Sequence, residues 1–108
     1  MDLSTVNYGG FTLIKIAGRL DVTTAPEFEK FYSQFLGIYD IKIALDFSSV
    51  EYMSSLGLRS ILSLGKKLKE ASGELLLCGL QGVVKEVIMV SGFDNFFKVY
   101  ENADCIPK

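Results

Sequence analysis

Four polar side chains stand where this sequence could carry chemistry: Asp21, Asp46, Ser54 and Ser55. A serine beside two carboxylates offers a nucleophile and acids, but hydrolysis also needs a base. The chain has no histidine, which removes the commonest general base and the commonest metal ligand. No lysine is placed to substitute for it. Gly73, Gly79 and Gly82 form neither a GxGxxG turn nor a P-loop, since the Lys-Ser/Thr pair is missing. Cys78 and Cys105 lack zinc spacing. No catalytic residue, metal or cofactor is therefore expected. What remains is binding or modification. Ser55 stands just before an apolar stripe of helical spacing, so its hydroxyl can cap that helix by accepting from a free backbone N–H. Spacing alone favours this cap over a regulated serine. By the same standard Asp21 reads as a turn acceptor and Asp46 as a solvated charge at a strand end.

The elements that must position these groups alternate along the chain. Leu3 to Tyr8 reads as an edge strand, paired through a Gly9-Gly10 turn with a strand over Phe11–Ala17 that stops at Gly18. Thr24 and Glu27 have capping-box spacing, with Pro26 in the first turn. Phe28, Phe31, Tyr32, Phe35 and Leu36 then recur at helical spacing up to Gly37. Ile41, Ile43, Leu45 and Phe47 alternate at period two and predict a strand over Ile41–Phe47. A loop from Ser48 to Ser55 is expected next. It leads into a helix from Leu56 to Ala71, with Leu58, Ile61, Leu62, Gly65 and Leu68 as core stripe. Leu56 projects on the opposite, polar side with Ser60 and is expected to be exposed, forming an apolar patch with Tyr52 and Met53. Glu74–Cys78 predicts a strand covered on both faces, Gly82–Val90 a short helix, and Phe96–Tyr100 a last short strand.

The order β-β-α-β-α-β-α-β predicts an α/β fold with parallel neighbours joined by right-handed crossovers. In such sheets function gathers beyond the carboxyl ends of the strands. Three loops fall there, over 18–24, 46–55 and 79–82, so Asp21, Asp46, Ser54 and Ser55 are expected to converge.

Composition narrows the partners. The length of 108 residues fits one domain, spanning 1–108. A net charge of −2, with no concentrated basic face, disfavours direct nucleic-acid binding. Met1-Asp2-Leu3-Ser4 has neither a basic n-region nor an apolar h-region, and no apolar run is long enough to span a bilayer. A cytoplasmic location is expected, with Cys78 a small buried hydrophobe and Cys105 in a mobile C-terminal segment. No feature specifies an oligomeric state.

Three segments resemble the STAS family, the fold of bacterial anti-sigma-factor antagonists. They are Gly18-Arg19-Leu20-Asp21 with Thr24-Ala25; the run from Leu45-Asp46-Phe47 through Met53-Ser54-Ser55-Leu56-Gly57-Leu58; and Gly79-Leu80 with Val83 to Ile88 and Ser91-Gly92-Phe93. The resemblance implies one STAS-type domain with a mixed sheet of four to five strands and β-α crossover helices. It implies that Ser55, two residues before Gly57, is phosphorylated by a partner anti-sigma factor that is a serine kinase. The unphosphorylated form would bind that partner and release a sigma factor, and a phosphatase would reset the switch. The implied partner surface is Asp21, Thr23, Met53, Ser54, Leu56, Gly57 and Arg59. Two positions depart from the family pattern: Ser54 stands where aspartate is usual, and Leu56 where a small residue is usual. The alternative in the same fold is a non-catalytic subunit of a phospholipid-transport ABC system.

Overall fold

A computed structural model describes residues 1–107. Its elements follow the predicted order: β1 (Asp2–Tyr8), β2 (Phe11–Leu20), α1 (Ala25–Ser33), β3 (Lys42–Met53), α2 (Ser55–Glu70), β4 (Glu74–Cys78), α3 (Gly82–Val90) and β5 (Lys98–Tyr100). Gly9, at φ +64°, turns β1 back antiparallel onto β2, with Tyr8 opposite Phe11. The other pairings are parallel, which gives a mixed five-stranded sheet in the order β1-β2-β3-β4-β5. Because the strands advance in one direction and crossovers share one hand, the helices stack on one face.

Alternation along the strands divides the interior accordingly. Ile14, Ile16, Ile43, Leu45, Leu75 and Leu77 pack with Phe28 and Tyr32 of α1, Ile61, Leu64 and Leu68 of α2, and Val84 and Ile88 of α3. Leu13, Ala44, Leu76 and Cys78 face the other way, where no helix follows. Their cover is the C-terminal segment: a short 3-10 turn at Ala103–Cys105 leads to Ile106, which is buried among them. Cys105, in the segment expected to be mobile, is exposed, and its neighbour Ile106 packs the segment onto the sheet.

Several boundaries and one helix phase differ from expectation. Strand β2 does not stop at Gly18 but runs on to Leu20. Helix α1 ends at Ser33 rather than at Gly37, although Phe35 and Leu36 still pack against the core. Strand β3 does not stop at Phe47 but runs on to Met53 beside the end of β2. Its pairing shifts register between Lys15 and Ala17 and again between Gly18 and Arg19, so β3 carries an extra residue at each point. Inward positions after Phe47 therefore fall at Val50 and Met53, three apart, and the period-two signal disappears. Helix α2 is rotated by roughly 60° from the predicted stripe, given 100° per residue. Gly57, Ser60, Ile61, Leu64, Gly65 and Leu68 are buried, while Leu58 and Leu62 are only partly so. The rotation follows from small residues: a Cβ on Gly57 would lie 2.6 Å from the Leu20 carbonyl oxygen, and Ser60 is buried beside it, so this face of the helix approaches too closely for larger side chains. No helix among the described residues is long and apolar enough to cross a membrane.

Truncating the tail's anchor tests this arrangement. Ile106→Ala should cost about 2 kcal/mol or more, because it uncovers the helix-free face. Val90→Ala, at an almost fully exposed position, should stay within about 0.5 kcal/mol. Urea unfolding midpoints of the two variants would separate these outcomes.

Candidate functional site

The site forms where β2 and β3 end together. Leu20 and Met53 are register partners, and the Leu20 carbonyl accepts from the Ser54 amide at 3.0 Å. Gly57 of α2 lies against the same carbonyl, where a Cβ would come within 2.6 Å of the oxygen. The first turn of α2 is thus seated on the end of β2.

This seating decides which serine does what. Ser54, in extended backbone at φ −95° and ψ 174°, is the N-cap, and its Oγ accepts from the Gly57 amide at 3.3 Å. Ser55 was expected to cap. Instead it is the first residue of the helix, exposed, and its hydroxyl makes no hydrogen bond among the described residues. No acidic residue occupies the first turn of α2.

The neighbouring turn is organised by Asp21. Its Oδ1 accepts from the Thr23 hydroxyl at 2.7 Å, the Thr23 amide at 3.0 Å and the Thr24 amide at 3.3 Å. The expected Thr24–Glu27 capping box does not form. The Thr24 hydroxyl turns back, donating to the Arg19 carbonyl at 2.7 Å and accepting from the Asp21 amide at 2.9 Å. Arg19 adds its Nε to Asp21 Oδ2 at 3.2 Å, and its guanidinium lies 4.4 Å from the centre of the Tyr52 ring. The Thr23 hydroxyl above all, then the Thr23 amide, Arg19 and the Thr24 amide, hold the Asp21 carboxyl down to about 2, against partial burial that pushes it up.

The residues expected at the partner surface divide. Asp21, Thr23, Ser54 and Leu56 lie at this end of the sheet, and Leu56 is 37% exposed as expected, whereas Ser60, placed with it on the polar side, is buried by the rotation of α2. Arg59 is exposed on α2, beside a shallow groove shared with Leu62, Ser63, Lys66, Lys67 and Glu70. Met53 is only 2% exposed and belongs to the core, because the extended β3 turns it inward against the α2 start. It is not part of an apolar surface patch. Gly57 is buried too, and what it provides is close approach. Arg19 was missed as a site residue, since its stacking partner Tyr52 becomes its neighbour only through the shifted register.

Asp46 does not join the cluster. It lies in mid-strand opposite Lys15 and Cys78, and the extended run from there to Met53 spans about 20 Å. Its Oδ1 accepts from the Ser48 amide at 2.9 Å, and Gly79 packs against it. Gln81 of the third loop donates to the Ser48 carbonyl. Burial first, then the nearby Asp46 charge, push the Cys78 thiol up to about 12, so it remains protonated near neutral pH. Among the described residues no group of three or more acidic or cysteine side chains could hold a metal ion.

The STAS domain family model matches residues 2–104. The chain belongs to the STAS-domain family. One relative is BtrV of Bordetella bronchiseptica, provisionally named an anti-sigma factor antagonist. It is 31% identical over 99 residues, covering 92% of this chain and 85% of BtrV. A crystal structure of an anti-sigma factor antagonist from Mycobacterium paratuberculosis aligns with TM-score 0.81 at 24% identity, over 95% of this chain and 87% of that one. SpoIIAA aligns in its unphosphorylated form (TM-score 0.77, 93% and 89% of the two chains) and, from Bacillus, in its phosphorylated form (0.69, 93% and 92%), each at 18% identity. These structural likenesses carry the fold of a STAS domain.

The two serines of this STAS domain should separate cleanly by stability. Ser54→Ala should cost about 1 kcal/mol, and Ser55→Ala less than about 0.5 kcal/mol. Equal losses on denaturation would remove the cap assignment. Asp21 has its own signature. Its folded pKa lies below the ordinary value of about 3.9, so its contribution to stability is complete above that value and disappears as pH falls toward 2. Carboxyl 13C shifts should show that low midpoint and its rise in Thr23→Val.

Proposed function

We propose that this protein is an anti-sigma-factor antagonist whose affinity for its partner is set by phosphorylation of Ser55. The observation that carries the reading is the division of labour between adjacent serines. Ser54 is occupied as a cap, while Ser55 is exposed, without a hydrogen-bond partner among the described residues, and presented at the helix start. The names of the relatives support the same reading, and SpoIIAA, known in phosphorylated and unphosphorylated forms, shares the fold.

The partner is an anti-sigma factor that is also a serine kinase. It transfers the terminal phosphoryl group of a nucleoside triphosphate to Ser55 Oγ. The hydroxyl loses its proton, a P–O bond forms, and the diphosphate leaves. A phosphatase reverses this with water and releases inorganic phosphate. The reaction takes place in the cytoplasm, where kinase and antagonist meet. In the unphosphorylated state the partner is held and its sigma factor is free.

Energetics place the switch at the interface rather than in the fold. A phosphate adds about −1.5 to −2 charge. At the start of α2, which has no acidic residue in its first turn, an anion is favoured by about 0.3–2 kcal/mol. Phosphorylation therefore leaves the domain folded. Against a partner packed on Leu56 and Tyr52, however, the same charge must be desolvated or meet a group it repels. A loss of about 3 kcal/mol there weakens binding roughly a hundredfold.

Partner binding of two variants tests this. Ser55→Ala should hold the cognate anti-sigma factor as wild type does and stay bound when nucleoside triphosphate is added. Ser55→Asp should bind at least about tenfold more weakly, because it carries only part of the phosphate charge. If both bind like wild type, Ser55 is not the switch.

A further inference from the structure

The guanidinium of Arg19 is fixed on two of its sides and open on the third. Its Nε is hydrogen-bonded to Asp21, one face lies on the Tyr52 ring, and neither terminal nitrogen has a hydrogen-bond partner among the described residues. The side chain is 58% exposed, so that open edge is available to an incoming anion. Its two terminal nitrogens carry the paired N–H donors that match two phosphate oxygens.

The chain brings Arg19 and Ser55 to the same end of the sheet. Arg19 is the register partner of Tyr52, and Leu20, the next residue, accepts the Ser54 amide at 3.0 Å. Tyr52 and Ser55 are three residues apart, at most about 10 Å of chain. The long stem of Arg19 therefore needs only to swing from Asp21 to reach an anion on Ser55. Lys15, the other cation of β2, is opposite Asp46, far along the sheet from this end.

We propose that Arg19 is an internal phosphate receptor, leaving Asp21 and Tyr52 to pair with a phosphate on Ser55. This deepens the phosphorylation reading and rests on it for its use in the cell. It gives the modification a second effect. When Arg19 leaves, Asp21 loses one of its partners and the Tyr52 ring loses its cover, so the surface beside Leu56 is rebuilt as well as recharged. The device belongs to this chain's own residues, Arg19 and Tyr52, and needs no movement of a helix or strand.

The test installs phosphoserine directly at position 55 by an expanded genetic code, so it does not depend on which kinase acts. The second ionisation of the phosphate is followed by 31P NMR against pH. With Arg19 present its pKa should lie below about 6, and Arg19→Gln should raise it by on the order of half a unit. Lys15→Gln, which removes an equal charge from the same strand, should leave it in place. In parallel, the Arg19 Nε–H resonance should shift on phosphorylation. Equal shifts in the two variants, or none in either, would overturn the proposal. A receptor confirmed in this way, in a protein whose Ser55 is never phosphorylated by its partner, would count against the proposed function and leave the receptor geometry standing.

Discussion

The close approach of helix α2 to the end of β2 is the constraint on which the site depends. The Leu20 carbonyl lies against Gly57 and holds the Ser54 amide, leaving no room for a side chain at Gly57. With the helix seated there, its start can fall at only one place. Ser54 must take the extended backbone and supply the cap, and Ser55 must follow as the first helical residue. The exposed hydroxyl is thus a consequence of backbone packing two residues away, and neither serine's chemistry alone determines it.

The same end of the sheet owes its other features to the two extra residues in β3. They bend the strand and shift its pairing, which turns Met53 into the core and sets Tyr52 beside Arg19. Asp21 then binds the turn together, accepting from Thr23, Thr24 and Arg19. A surface held together by these hydrogen bonds before any partner arrives has less ordering to lose on binding.

Much of this was legible in the sequence. The element order, the Gly9-Gly10 hairpin turn and the apolar strands all followed from periodicity and turn chemistry. What failed did so for physical reasons. The β3 extension was invisible because its extra residues break the period-two pattern on which strand assignment relies. The phase of α2 was misjudged because Gly57 and Ser60 face the core through close packing, which carries no hydrophobic signal. Asp46 was grouped with Ser55 because a stretch expected to be a folded loop is in fact extended strand. Thr24 and Glu27 had the spacing of a capping box, but Asp21 holds the Thr24 amide that Glu27 would take, and the Thr24 hydroxyl is engaged with the Arg19 carbonyl and the Asp21 amide. Family resemblance added the one inference that spacing could not, that a serine at this helix start is modified.

The central claim is that the backbone assigns Ser54 to the helix and Ser55 to regulation. The most direct measurement is tandem mass spectrometry of the protein after reaction with its cognate anti-sigma factor, with fragment ions that separate the adjacent serines. The account predicts phosphate on Ser55 and none on Ser54, whose oxygen is already engaged with the Gly57 amide. Phosphate on Ser54 instead, or an unmodified pair with a partner whose kinase is active, would contradict it.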